Sequence, residues 1–222
     1  MSASVNLVDL LARDFDAALP QTQCTRCGYP DCSAYAQAMA SGAANINQCP
    51  PGGEEGVARL ARIAGRPVLP LDPAHGVEAA RQLAVIDEAW CIGCTLCLTA
   101  CPVDCIVGGP RSMHTVIDAQ CTGCELCIPA CPVDCISLRP VTGERTGWDA
   151  WSDAQAREAR DRYAFHRVRI ERDEFEHVQR LAAGAPAATS TLLADTETAA
   201  EAKQRRTVIE AALARARAAR AV

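Results

Sequence analysis

Cys91-Ile92-Gly93-Cys94-Thr95-Leu96-Cys97-Leu98-Thr99-Ala100-Cys101-Pro102-Val103-Asp104-Cys105-Ile106 returns thirty positions later as Cys121 to Ile136, with only positions 92/122, 95/125, 98/128 and 99/129 changed. Each copy reads C-x2-C-x2-C-x3-C-P. Three cysteines two apart suit one corner of an iron–sulfur cubane, each thiolate meeting a different iron, while the cysteine before proline reaches the cluster of the other copy. The expected ligand sets are therefore crossed: Cys91, Cys94 and Cys97 with Cys131, and Cys121, Cys124 and Cys127 with Cys101. Gly93 and Gly123 stand between ligands, where a missing side chain permits close approach and unusual torsions. Pro102 and Pro132 fix φ where the chain turns away. Zinc fits this repeat badly, because zinc sites favour cysteines two by two, often with histidine.

Strand-like runs flank each copy: Leu83-Ala84-Val85-Ile86 and Thr115-Val116-Ile117 before, Ile106-Val107 and Ile136-Ser137-Leu138 after. Strand, cysteine loop, short helix and strand, written twice, predict a pseudo-twofold pair. Working outward, residues 1–65 read as a helical domain: Val5, Leu7, Val8, Leu11 and Ala12 recur at helical spacing, a second helix is expected over Pro30–Ser41, and a third over Glu54–Ala64 ending at Gly65. Residues 66–80 are proline-rich and predict an extended linker. Residues 141–222 lack cysteine and predict a helix over Asp153–Ala183, a break at 184–191 and a last helix from Glu197. The fold class expected is α+β: a helical N-terminal domain, a (βαβ)2 module at 81–140, and a helical Arg/Ala-rich extension at 141–222.

The composition narrows the chemistry. Fourteen cysteines in 222 residues require disulfides, zinc or iron–sulfur clusters, and aromatics are only 4% of the chain, too few for a large aromatic core. Met1–Pro20 lacks the unbroken apolar stretch of a secretory signal, and no segment approaches the roughly 20 apolar residues of a membrane span, so a cytoplasmic location with reduced thiols is expected. The formal net charge is −5; three clusters at about −2 each would bring it to roughly −11, which points to basic protein partners rather than nucleic acid. No P-loop and no G-x-G-x-x-G turn is present, and no general base or nucleophile stands out, so the chain is not read as catalytic alone.

Cys24, Cys27, Cys32 and Cys49 form a set with a distant fourth member, C-x2-C-x4-C-x16-C, whose soft donors suit either a cubane or zinc. The surrounding residues, Leu19-Pro20-Gln21-Thr22-Gln23-Cys24-Thr25-Arg26-Cys27-Gly28-Tyr29-Pro30-Asp31-Cys32 and Ile46-Asn47-Gln48-Cys49-Pro50-Pro51-Gly52-Gly53, resemble the B subunit of Rnf/Rsx-type electron transport complexes. Ala84–Glu88 leading into Cys91, and Ser112-Met113-His114-Thr115-Val116, extend the resemblance over about Val5 to Val141. It implies a further [4Fe–4S] cluster on Cys24, Cys27, Cys32 and Cys49, three in all, relaying single electrons among redox protein partners in a membrane complex. Members of that family begin with a hydrophobic anchor; this chain is expected to be a soluble variant without it, peripheral on the cytoplasmic face of the inner membrane. The alternatives are a freestanding polyferredoxin serving a cytosolic oxidoreductase, and a zinc-binding structural or sensing protein.

Several residues carry plainer expectations. Cys105 and Cys135 read as buried thiols beside a cluster, His114 as a structural or exposed histidine, and Tyr29 as a shield against water. Trp148 and Trp151 are expected to pin the tail to the cysteine-repeat module. In residues 202–222, six basic residues against Glu210 and a stripe of Val208, Ile209, Ala212, Leu213 and Ala216 predict a solvated helix or an interfacial one.

Overall fold

The computed structural model describes residues 6–182. Val5, the break at 184–191 and the helix expected from Glu197 lie outside the described residues. Residues up to Ile170 form one compact unit; of a second, beginning at Glu171, only the stretch to Ala182 is described.

Helix α1 spans Leu7–Ala17 and opens on Asn6, whose side chain accepts a hydrogen bond from Val8 N. It buries Ala12 and Phe15 while Leu7 stays 78% exposed, so the apolar stripe is broader than the face that packs. Helix α2 spans Cys32–Ala40, two residues later than Pro30. Asp31 explains the shift: its carboxylate accepts from Ala34 N at 2.6 Å, making it the N-cap and leaving Pro30 outside. Helix α3, Gly53–Ala64, ends on Gly65 at φ 62°, the left-handed position expected there. The three helices enclose a core of Phe15, Leu19, Tyr35, Met39, Ile46, Val57 and Leu60, shared with Cys27, Cys32 and Cys49. The buried Tyr35 hydroxyl is satisfied twice, donating to Asn45 O at 2.7 Å and accepting from Gln48 N at 3.1 Å.

The proline-rich stretch 66–80 is fastened rather than free. Asn47 Nδ2 donates to Pro70 O and Asp72 N donates to Asn47 O. Further on, the Glu78 carboxylate accepts from Glu54 N in the first turn of α3 at 2.8 Å and from Thr146 Oγ1 at 2.6 Å. An acidic group there also complements the helix dipole.

In the repeat module, strand β1 (Gln82–Ile86) precedes the first cysteine loop, helix α4 (Leu96–Ala100) and strand β2 (Ile106–Val107) follow it, and β3 (Thr115–Val116) and β4 (Ile136–Pro140) bracket the second. β1 pairs antiparallel with β4, with Ala84 opposite Leu138 and Ile86 opposite Ile136; β2 pairs with β3, with Ile106 opposite Val116. Each ladder thus joins a strand of one copy to a strand of the other, the exchange that a pseudo-twofold produces. The copies are not identical: β1 and β4 are longer than β3 and β2, and the short helix expected in both copies forms only in the first. Residues 126–130 form turns where the first copy has α4. Thr99 N donates to Thr95 O in α4; Pro129 stands at the matching position and has no N–H to donate.

Beyond the module, Trp148 packs on Gly56 of α3, with the Arg59 guanidinium 4.0 Å from its ring centre, whereas Trp151 lies under Arg81. The two tryptophans therefore fasten the chain to both the helical domain and the repeat module, not to the module alone. Helix α5 then runs Asp153–Ala182. Among the described residues no helix is long and apolar enough to cross a membrane.

Candidate metal centres

The N-terminal cysteines sit on a loop held by glutamines. Asp16 Oδ1 accepts from Gln21 Nε2, Gln21 Oε1 accepts from Gln23 Nε2 at 2.9 Å, and Gln23 Oε1 accepts from Cys32 N at 2.9 Å. Both glutamines are buried, and Gln21, Gln23 and Thr25 all take positive φ. Side-chain hydrogen bonds thus hold a backbone that L-residues rarely adopt. Sequence reasoning passed over these glutamines; two amides flanking Thr22 directly after an apolar stretch were the available signal. Cys32 is delivered as the first residue of α2, and Cys49 at the Pro50–Gly52 turn.

Burial pushes the Cys27, Cys32 and Cys49 thiols up, and neighbouring thiolates add to it, Cys49 acting on Cys32 and Cys24 on Cys49. Sulfurs crowded in this way stand ionised together only against compensating positive charge, which iron in a cluster would supply. The donor set therefore fits the group.

In the repeat module, cysteines of the two copies share a cavity. One cavity is lined by Cys121, Cys124 and Cys127 from the second copy together with Cys101 from the first, closed by Ala84, Val103, Cys105 and Ile106. Cys105 Sγ lies 3.4 Å from Cys101 Sγ, and the Cys105 amide donates to the same sulfur at 3.3 Å. The Cys105 thiol is pushed up by its hydrogen bonds with Cys101 and Cys121, and those two sulfurs are pulled down chiefly by it. The other copy mirrors this: Cys135 Sγ stands 3.4 Å from Cys131 Sγ, and it feels the charge of Cys91.

Of the two expectations for His114, structural or exposed, the structure favours the first. The histidine is 1% exposed, not a surface residue, and its Nδ1 lies 3.3 Å from Cys97 Sγ while its amide donates to Cys91 Sγ at 3.4 Å. Gly93 and Gly123 both have positive φ, at 67° and 68°. Their missing side chains make room for protein backbone: a Cβ on Gly93 would stand 2.6 Å from Ser112 N, and one on Gly123 would overlap Gln82 O.

The N-terminal group meets the module at the second copy. Thr122 Oγ1 donates to Thr22 O at 3.1 Å, and Arg26 pairs with Glu125. These four residues alternate with Cys24, Cys27, Cys121 and Cys124 along the chain, so the junction is made by the cysteine loops themselves.

Comparison with known proteins agrees with this geometry. Residues 84–138 match a family described as a 4Fe-4S dicluster domain, and residues 19–51 one described as a putative Fe-S cluster. The B subunit of the ion-translocating oxidoreductase complex of Azoarcus sp. (strain BH72) is 62% identical over 108 residues, 49% of this chain and 59% of that protein. The corresponding B subunit of Thiobacillus denitrificans is 59% identical over 138 residues, and that of Serratia proteamaculans 53% over 140 residues; each match takes in 73% of the relative, and 62% and 63% of this chain. Two iron–sulfur family matches, laid over the cysteine groups described above, and relatives matched over most of their length place the chain in the family of B subunits of ion-translocating oxidoreductase complexes.

Proposed function

We propose that the chain holds three [4Fe–4S] clusters, on Cys24/Cys27/Cys32/Cys49, Cys121/Cys124/Cys127/Cys101 and Cys91/Cys94/Cys97/Cys131, and serves as the electron-relaying B subunit of a membrane-associated ion-translocating oxidoreductase. When bound, the clusters supply the one-electron chemistry. The convergence of Cys101 onto Cys121, Cys124 and Cys127 around one enclosed cavity carries the reading. The residues of the chain set the order of the sites. The Thr22–Thr122 and Arg26–Glu125 contacts seat the N-terminal group against the Cys121 group, so the Cys121 group stands in the middle of the row and the Cys91 group at its far end. The relatives' names favour service in a complex over a freestanding polyferredoxin; the other members of that complex are then the partners, met at the cytoplasmic face.

Anaerobic purification with iron and sulfide quantification tests the cofactors. About twelve irons per chain are expected, and Cys49→Ala should remove about four of them. Zinc in place of iron would end the reading. Co-purification with membrane proteins of the complex tests the assembly, and a chain found only free of them would favour the soluble alternative.

A further inference from the structure

Two backbone amides thirty residues apart reach across the pseudo-twofold to equivalent sulfurs: His114 N donates to Cys91 Sγ, and Ala84 N to Cys121 Sγ. The amides are counterparts, but the side chains are not. Ala84 ends in a methyl group. His114 carries a buried imidazole whose Nδ1 lies 3.3 Å from Cys97 Sγ. A thiolate bound to iron has no proton to give, so this contact requires the hydrogen on Nδ1. Nε2 has no hydrogen-bond partner among the described residues, so the ring's polar contact is the one to Cys97. The ring is also held in place: it fills the space beside Gly108, where a Cβ would overlap its Cδ2.

We propose that His114 is a potential-setting residue, whose ring N–H hydrogen bond to Cys97 raises the reduction potential of the cluster on Cys91, Cys94, Cys97 and Cys131 relative to its repeat partner. The proposal rests on the ligand assignment above. Reduction adds one negative charge to the cluster and its thiolates, and a donor aimed at a ligand sulfur stabilises that extra charge more than the oxidised form.

Other donors do not erase the difference. Cys105 and Cys135 stand at the same 3.4 Å from Cys101 and Cys131, one to each cluster. Thr122 also reaches a sulfur of its own group, Cys124, but its hydroxyl has a single proton, which it shares with Thr22 O at 3.1 Å. Arg81 acts in the opposite sense, favouring reduction of the Cys121 group. However, its guanidinium bonds the Cys121 carbonyl rather than the sulfur, and Arg111 occupies the matching repeat position. An electron entering at the N-terminal group would then come to rest at the far end of the row.

Redox titration of the full, cluster-loaded chain, followed by EPR, tests this with two variants of similar size. His114→Leu fills the space without an N–H and should make one cluster about tenfold harder to reduce, a fall of about 59 mV for one electron, with the other two unmoved and the iron and sulfide content unchanged. His114→Gln, which can offer an N–H to Cys97, should recover part of the shift. Equal shifts in both variants, or none in either, overturn the role of the N–H while leaving the ligand assignment intact; an iron-free parent chain would instead end the assignment beneath it. Unmodified protein with 15N-labelled histidine gives a check independent of folding. Its reduced form should show coupling between one imidazole nitrogen and the cluster by pulsed EPR, and no coupling overturns the proposal.

Discussion

A methyl group on residue 123 would overlap the carbonyl oxygen of Gln82 in β1, and Gly123 already sits at φ 68°. That neighbour cannot yield cheaply, since it is backbone, and Gly123→Ala should cost at least about 1–3 kcal/mol from torsional strain alone. Thermal or denaturant unfolding of the loaded protein measures it, and a loss under about 0.5 kcal/mol, the size of an ordinary surface change, would contradict the geometry. Cys105 makes the complementary case. It touches a ligand sulfur without being assigned as one, so Cys105→Ala should retain the full iron content, whereas Cys101→Ala should lose about four irons of the set. The same Cys105→Ala variant should show a lowered potential for the Cys121 group, because a thiol donor to Cys101 is gone. The sequence made the iron–sulfur modules legible because their signature resides in cysteine type and spacing. It left Gln21 and Gln23 unread and His114 without a partner because a buried amide or imidazole declares itself only through what it bonds: Gln23 reaches Cys32 nine residues on, Gln21 reaches it only through Gln23, and His114 meets Cys97 seventeen residues back.

At the scale of elements, local signals succeeded where one residue dominated, as where Gly65 ends α3, but the short helix expected in both copies is missing from the second, where Pro129 removes the hydrogen bond that would have made it. They failed where a competitor stood nearby, as when Asp31 rather than Pro30 set the start of α2. The seating of α5 could not be read at all, because it depends on charges distant in sequence. Tyr163 Oη donates to Asp31 Oδ2 at 3.0 Å, and His166 and Arg169 both meet the Asp104 carboxylate at 2.8 Å. Burial alone would raise the Asp104 carboxyl, yet hydrogen bonds from Arg169 and His166 outweigh it and hold the group below its ordinary value. A depressed folded value means that this contribution is complete above the ordinary carboxylate range and is lost only as pH falls through the lowered one. Asp104→Ala should therefore loosen α5 at neutral pH by about 1 kcal/mol, a figure kept small because the carboxylate is partly exposed. Amide hydrogen exchange over residues 156–169 should speed accordingly, with the iron content unchanged. Unaltered protection would show that the apolar contacts of Ala156 and Ala159 hold the helix by themselves.

For the molecule as a whole, the core and the proposed ligand sets overlap. Cys27, Cys32 and Cys49 belong to the helical core, and seven of the thirteen buried residues in the repeat-module core are cysteines. The strands there are two to five residues long and form two-stranded ladders, too little sheet to stand alone. With so few aromatics available, apolar burial cannot replace what the ligated cysteines contribute, so binding free energy for iron is also folding free energy. Anaerobic removal of iron by a chelator should abolish the cooperative unfolding transition of residues 81–140. It should leave α1, α2 and α3 partly helical, because Phe15, Leu19, Tyr35, Ile46 and Leu60 still pack without the cysteines. Far-ultraviolet circular dichroism before and after chelation, with recovery on adding iron and sulfide, reads both effects. An iron-free chain that keeps a sharp transition in the repeat module would mean that its core is held by Leu83, Val103, Ile106 and Ile136 alone, and that the cysteines are passengers in a fold they do not build.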